Sequence, residues 1–284
     1  MQRPLREGDE QPVFSPDERE HLHRLFSELQ AIYVQLLLNT HSAISLQNWF
    51  ALFTNADGEP ISVYEQEDAH EYLTRFVDTV DKCLIFTTSP FLIRDLFEGE
   101  MNDQLICPNC GVVRDKKVAY SNLSVEVGSG DLLSALREVN ATEVIEDFNC
   151  ESCSQRVNVT KSTHILSFPK YLIVQAKFFS FDYYTFRKVK LNQPFTAPMT
   201  VDLRELQSGE EACSEYKLKG VVYHIGVADS GHYYSVVRDV ESKKWFEMND
   251  EVVSERSEEE VERNCEVEGC ERMSAVHVAL SRDP

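Results

Sequence analysis

Two Cys-x-x-Cys pairs limit how this chain can fold, because four thiols held by one ion would tie two distant segments together. Cys107 and Cys110 form the first pair, Cys150 and Cys153 form the second, and residues 111–149 separate them. Four thiolates with this spacing suit a closed tetrahedral Zn²⁺ site. One such pair alone could be a redox motif, but two pairs outside a thioredoxin-like pattern favour a structural metal. The alternative of four free thiols stays open.

Composition narrows the class of protein and its partners. With 284 residues, 42% of them hydrophobic, the chain can bury a sizeable core as one large domain or two small ones. The net charge of −20 repels phosphate, so it argues against nucleic acid and membrane surfaces as partners and favours a basic peptide or protein. The polar N-terminal segment and the lack of a membrane-spanning apolar run predict a cytoplasmic or nuclear protein with reduced thiols.

Apolar periodicity divides the chain into a helical part and a strand-rich part. Helical spacing predicts helices over 16–38, 45–53 and 67–84, each with an apolar stripe or a capping residue. From about residue 95 the period changes to that of strands, with one strand expected over 118–127 and one further short helix over 131–140. Helices first and strands afterwards predict an α+β fold rather than a regular βαβ sheet.

A histidine between two predicted strands is the strongest candidate for chemistry. His232 stands between Gly231 and Tyr233 at the mouth of a strand, and the pair Asn249 and Asp250 ends a later one. A histidine held by an amide or carboxylate is the base half of a nucleophilic dyad or triad. The pattern therefore predicts a catalytic base with a neighbour that orients it.

This stretch resembles the histidine box of ubiquitin-specific proteases, the papain-like deubiquitinases of the ubiquitin C-terminal hydrolase type 2. The flanking aromatic residues, the glycines and the spacing all agree with that box. The resemblance implies that His232 is the general base and that Asn249 holds its imidazole. It assigns Asp250 an assisting role toward the oxyanion or its water.

The resemblance also implies residues that contact the substrate. The segment Gln-Glu-Asp-Ala-His-Glu-Tyr-Leu, which begins at Gln66, is similar to a second family signature, Gln-Gln-Asp-Ala-Gln-Glu-Phe-Leu. That likeness implies that Gln66 and Asp68 help to hold the ubiquitin tail. In the histidine box, it implies that Gly226 and Gly231 leave room for the tail and that Tyr233 is a further substrate-binding residue. Without the resemblance, an acid at this position is explained by helix capping alone.

The family likeness extends to the whole chain. A third stretch, residues 169–184, is similar to the family landmark Pro-x-x-Leu-x-x-x-Leu-Lys-Arg-Phe. The resemblance implies one catalytic domain with a helical thumb (1–100), fingers that carry one structural Zn²⁺ per chain (101–165) and an antiparallel β palm (166–284). The implied partners are ubiquitin and ubiquitinated proteins, with no nucleic acid and no membrane.

The nucleophile is the point of departure from the family. Its cysteine lies in an N-terminal box similar to Gly-Asn-Thr-Cys-Tyr, and the 284 residues contain no such box. The other cysteines (Cys83, Cys213, Cys265 and Cys270) do not open a helix as an activated thiolate requires, and the last two are expected in a loop. We therefore expect an N-terminally incomplete thiol-protease deubiquitinase. The alternatives are a catalytically inactive ubiquitin-binding scaffold and, from another class, a zinc protein with unrelated binding.

Overall fold

A computed structural model of the chain describes most of its residues. The described ranges are 13–38, 43–55, 58–62, 67–208, 215–228, 230–266 and 273–282. They form two compact units, within residues 1–95 and 96–284. The predicted three-part division into thumb, fingers and palm stays a prediction.

Four of the helices in the described residues agree with the periodicity of the sequence, whereas those over 92–97 and 258–266 were not predicted. The described residues contain α1 (Pro16–Leu38), α2 (Gln47–Leu52), α3 (Ala69–Leu84), α4 (Leu92–Phe97), α5 (Leu132–Val139) and α6 (Glu258–Glu266). At the start of α1, the Glu18 N–H donates to Ser15 Oγ (3.2 Å) and the Ser15 N–H donates to the Glu18 carboxylate (2.7 Å). This reciprocal cap explains why the helix begins at Pro16. Within the described part of the chain, no helix is both long and apolar enough to cross a membrane.

The first unit is a small helical layer with an aromatic centre. Leu22 and Leu25 of α1 pack with Trp49 and Phe53 from the segment of α2, and with Cys83 of α3. The rings of Trp49 and Phe53 are stacked with centroids 5.0 Å apart. Much of the buried apolar surface of this unit therefore comes from the two aromatic side chains of the segment 49–53.

Strands dominate the second unit. They are β1 (Gly99–Ile106), β2 (Val113–Tyr120), β3 (Leu123–Glu126), β4 (Thr142–Cys150), β5 (Gln155–Ser167), β6 (Tyr171–Lys177), β7 (Phe179–Asp182), β8 (Arg187–Lys190), β9 (Thr200–Asp202), β10 (Glu215–Val227), β11 (Ser230–Arg238), β12 (Trp245–Asn249), β13 (Val252–Arg256) and β14 (Met273–Ser281).

These strands form three sheets. The largest has the order β13-β12-β11-β10-β14-β6-β3, with β9 paired to β10. Its strand pairs are antiparallel except for β3 with β6, which is parallel. A second sheet has the order β2-β1-β5-β4, and β7 and β8 form a separate hairpin. The main core lies against the largest sheet and includes the completely buried Leu132, Ile165, Leu172, Leu203 and Tyr216.

Two predictions from the sequence differ from the structure. The strand expected over 118–127 is broken after Tyr120, because β2 and β3 belong to different sheets. The expected loop around Cys265 is wrong, since this residue lies in α6. The sequence contains a signal for that helix, since Ser257 and Glu260 have the spacing of a capping box and an acidic first turn follows Ser257. In the structure the Glu260 N–H donates to Ser257 Oγ (3.2 Å), and the Ser257 N–H donates to the Glu260 carboxylate (2.8 Å).

The core assignment predicts a graded response to truncation of side chains. Leu172→Ala removes a completely buried side chain on β6, so we expect the free energy of unfolding to fall by about 2–5 kcal/mol. Val144→Ala on β4 is the matched control, because Val144 is 63% exposed and the change should stay within about 0.5 kcal/mol. Urea unfolding followed by circular dichroism measures both. Equal losses in the two variants would contradict the assignment of the core.

Candidate functional site

The candidate base lies on the hairpin formed by β10 and β11. His232 is the third residue of β11, and its register partner on β10 is Ile225. Gly226 pairs with Gly231, so the hairpin brings two glycines together beside the histidine. The side chain of His232 is 43% exposed. The imidazole can therefore be reached from solvent while its backbone is held by the sheet.

The amide of Asn249 contacts this imidazole directly. Asn249 is the last residue of β12, and its Oδ1 lies 2.7 Å from His232 Nε2. Asp250 follows with φ of +51°, and its Oδ2 lies 3.9 Å from the same nitrogen. Because the Asp250 side chain is 77% exposed, solvent weakens that longer contact. The structure thus brings together the three residues predicted as catalytic, and Asn249 is the one at hydrogen-bonding distance.

This contact sets the protonation of the imidazole nitrogens. An amide oxygen only accepts hydrogen bonds, so His232 Nε2 is the nitrogen that carries the hydrogen toward Asn249 Oδ1. In a neutral imidazole the other nitrogen, Nδ1, then carries a lone pair that can accept a proton. The arrangement is chemically suited to general-base catalysis through Nδ1.

The two glycines have a local reason to be glycine. A Cβ built on Gly231 would lie 2.1 Å from Nε2 of His224, and one on Gly226 would lie 2.6 Å from the carbonyl oxygen of Ser230. Gly226 also has φ of +118°, a conformation that other residues rarely adopt. The packing of the hairpin accounts for both glycines, and their predicted role toward a ubiquitin tail stays a prediction, as does that of Tyr233.

The predicted tail-binding residues on the N-terminal side belong to the other unit. Asp68 caps α3, where its Oδ1 accepts hydrogen bonds from the His70 N–H (2.9 Å) and the Glu71 N–H (3.3 Å). Gln66 lies outside the described residues. The structure therefore shows the capping function of Asp68 and does not test whether Asp68 or Gln66 holds a substrate.

The four paired cysteines converge, as their spacing predicted. The sulfur atoms of Cys107, Cys110, Cys150 and Cys153 all lie within 4.8 Å of one another, at the end of the β2-β1-β5-β4 sheet. The backbone N–H of Cys153, which donates to the Cys150 sulfur, lowers the pKa of that thiol to about 6. At Cys110 the Val112 N–H lowers the pKa, but burial and the hydrogen bonds with the other three cysteines outweigh it and raise the pKa to about 11. A thiolate is the form that binds metal. This cluster can hold a metal ion.

The remaining cysteines do not supply a thiol to His232 in the part of the chain that the structure describes. Cys83 is buried in the first unit, where its Sγ donates to the Leu22 carbonyl (3.4 Å), and burial raises the pKa of this thiol to about 11. Cys213 and Cys270 lie outside the described residues, as does the side chain of Cys265.

One residue near the histidine was missed by the sequence argument. Lys190 ends β8, and its ammonium group contacts His224 and Gly226 on β10. No local sequence signal indicated these contacts, because the partners of Lys190 lie 34 and 36 residues away along the chain.

Comparison with known sequences identifies the family. A sequence profile described as "Ubiquitin carboxyl-terminal hydrolase" matches residues 7–275. Ubiquitin carboxyl-terminal hydrolase 9X of Mus musculus is 26% identical over 300 residues, which cover 92% of this chain and 11% of that protein. Ubiquitin carboxyl-terminal hydrolase 26 of Oryza sativa subsp. japonica is 30% identical over 202 residues, which cover 66% of this chain and 18% of that protein. The chain thus spans only a small part of the length of these curated relatives.

Comparison with solved structures agrees with this family match. A chain of the SAGA DUB module of Ubp8, Sgf11, Sus1 and Sgf73, bound to monoubiquitin, matches with a TM-score of 0.76 and 22% identity, over 93% of this chain and 60% of that chain. This likeness confirms the predicted α+β fold of ubiquitin-specific proteases. Since the family profile also covers most of the sequence, the chain belongs to the ubiquitin carboxyl-terminal hydrolase family.

Proposed function

We propose that this chain is part of the catalytic domain of a cysteine-type deubiquitinase that hydrolyses the isopeptide bond after the C-terminal glycine of ubiquitin. The observation that carries the proposal is the 2.7 Å contact between His232 Nε2 and Asn249 Oδ1. A histidine whose ring nitrogen is held by an amide oxygen is the base half of a nucleophilic dyad or triad. The family membership limits the chemistry to a thiol protease.

In the proposed mechanism each residue of the site has one task. Asn249 holds the imidazole in the tautomer with hydrogen on Nε2, and Nδ1 of His232 takes the proton of the nucleophilic thiol. The thiolate attacks the carbonyl of the scissile bond, and the imidazolium returns the proton to the leaving amine. Asp250, with its exposed carboxylate near Nε2, assists the oxyanion or a water bound to it.

The thiol is proposed to come from a cysteine outside the 284 residues. Cys83 is protonated at neutral pH because burial raises its pKa to about 11. Cys107, Cys110, Cys150 and Cys153 contact one another, so they are engaged as a cluster. A Cys-bearing helix of the kind expected from the family resemblance would complete the site.

Ubiquitin is the proposed substrate and partner. The matched Ubp8 module is bound to monoubiquitin, and the net charge of −20 suits the basic C-terminal tail of ubiquitin. The proposal extends to ubiquitinated proteins as targets, and to the cytoplasm or nucleus as the compartment, where thiols remain reduced.

A structural Zn²⁺ in the cysteine cluster is part of the proposal. With Zn–S bonds of about 2.3 Å, a tetrahedral site separates its sulfur atoms by about 3.8 Å. Cys110 Sγ and Cys150 Sγ lie 3.8 Å apart, so the donor set fits the ion. Four protein ligands leave no open position, and the metal would hold the ends of β1, β4 and β5 together without taking part in hydrolysis.

The metal proposal predicts about one zinc per chain. Elemental analysis of freshly purified, untagged protein measures it, and the double change Cys107→Ser with Cys150→Ser should remove the metal because two of four ligands are lost. Cys83→Ser is the matched control, since this buried thiol lies in the other unit. Substoichiometric metal that the double change does not reduce would contradict the proposal.

The catalytic proposal predicts that activity depends on an added cysteine segment. The 284-residue chain should neither cleave a ubiquitin–fluorophore substrate nor react with a ubiquitin probe that carries a C-terminal electrophile. An N-terminally extended protein with the Cys box should do both. Its melting temperature should also rise, because the end of α1 exposes large apolar side chains that a further segment could cover, such as Leu37 (82% exposed) and Leu38 (65%).

Two variants of the extended protein test the residue roles. His232→Ala should abolish cleavage while the fold is kept, and Asn249→Ala should lower kcat with a smaller effect on KM. Cleavage that is unchanged by His232→Ala would refute the catalytic assignment. Labelling of a cysteine within the 284-residue chain would refute the origin of the thiol, and an extended protein that binds ubiquitin without cleaving it would favour the scaffold alternative.

A further inference from the structure

The ammonium group of Lys190 joins the end of β8 to the end of β10. Its Nζ donates to the carbonyl oxygens of His224 (3.0 Å) and Gly226 (3.2 Å). It also lies 3.1 Å from Nδ1 of the His224 ring. An ammonium group has three N–H donors and no acceptor, so it can bind several acceptors at once. Charge-assisted bonds of this kind are stronger than those between neutral groups.

The contact with Lys190 fixes the ring of His224. A protonated lysine cannot accept a hydrogen bond, so His224 Nδ1 is the acceptor and the ring is neutral, with its hydrogen on Nε2. The ring is only 3% exposed and packs between Phe179 and Tyr233, with centroids at 5.1 Å and 4.8 Å. The contacts that hold His224 thus include the directed bond to Lys190 and two aromatic contacts.

The fixed ring lies against the backbone that leads to the catalytic base. A Cβ on Gly231 would come within 2.5 Å of His224 Cε1, so this ring covers the residue immediately before His232. The two carbonyl groups bound by Lys190 also flank Ile225, the register partner of His232. Lys190 thus constrains the base from two directions, through the His224 ring and through the backbone of β10.

We propose that Lys190 is a positioning residue for His232. By holding the His224 ring and the end of β10, it keeps the His232 backbone where Nε2 reaches Asn249 Oδ1. The positioning role itself does not depend on the proposed function. Only the description of His232 as the catalytic base rests on that function. A displacement of about 1 Å at a reacting group can cost on the order of 100-fold in rate, so a constraint at this point matters for turnover more than for binding.

The test uses the 284-residue chain with ¹⁵N-labelled histidine. Long-range ¹H–¹⁵N spectra report which imidazole nitrogen of His232 carries hydrogen, and the signal is assigned by its loss in His232→Ala. We expect Lys190→Met to turn a single Nε2–H tautomer into a mixture, because the hairpin end is released. Lys190→Arg, which keeps the charge and the donors, should restore much of the wild-type signal.

A matched control exists in the other large sheet. Lys161 on β5 has its ammonium group 2.8 Å from the carboxylate of Glu143 on β4. Lys161→Met removes the same charge, and we expect it to leave the His232 tautomer unchanged. An equal change in both variants would assign the effect to net charge and overturn the proposal.

Stability and activity separate the outcomes. If Lys190→Met lowers the melting temperature but leaves the His232 tautomer unchanged, Lys190 is only structural and the proposal is wrong. If Lys190→Met does not fold, Lys190→Gln is measured against the same criterion.

In the extended protein with the Cys box, Lys190→Met should lower kcat about 10-fold or more while KM changes less than about twofold. A changed tautomer in Lys190→Met, together with an extended wild-type protein that does not cleave ubiquitin, would refute the proposed function and leave the positioning role standing.

Discussion

The pairing of β10 with its neighbours is the constraint on which both the core and the site depend. β10 pairs with β14 along one edge, and with β11 and, over its first residues, β9 along the other. Its buried residues include Tyr216, Leu218, Val221 and Tyr223, which belong to the main core. A slip of one residue along either neighbour would turn these side chains to the opposite face. The same slip would separate His232 from its partner Ile225, so the packing that stabilises the sheet also sets the position of His232.

The site occurs where regular pairing ends. Gly226 and Gly231 close the hairpin at one end, and Asn249 is the last residue of β12, before the left-handed turn at Asp250. Side chains at strand ends are less enclosed than those in the middle of a sheet, so they can meet a substrate while the sheet fixes their backbone. The hydrogen bond between His232 and Asn249 therefore combines an exposed imidazole with a rigid support.

The sequence predicted the features that depend on local pattern and on motif spacing. The bounds of α1 follow from the capping at Ser15, the cysteine cluster follows from its two pairs, and the neighbourhood of His232 and Asn249 follows from the histidine box. The break between β2 and β3 could not be predicted in this way, because both strands have the same apolar pattern as one continuous strand. The break arises because β2 pairs in one sheet and β3 pairs in another.

The contacts of Lys190 could not be predicted from the sequence for a similar reason. Its partner His224 lies 34 residues away along the chain, and no local pattern relates a lysine at the end of one short strand to a histidine on another. Only the arrangement of the sheets shows that the ammonium group faces two carbonyl oxygens and a ring nitrogen. The contacts that required the structure are thus those between residues distant in sequence.

The long strand β5 connects two separate hydrophobic clusters. Val159 packs with Cys107 and Cys150 in the small cluster, and Ile165, six residues later, is completely buried in the main core. Each cluster has its own packing, with the cysteines and Val159 in the small one and purely apolar or aromatic side chains in the main one. A change at the cysteines can therefore loosen the outer end of β5 while its inner end stays folded. Because the two clusters share a strand but not their contacts, the outer end of the sheet can open locally without unfolding of the main core.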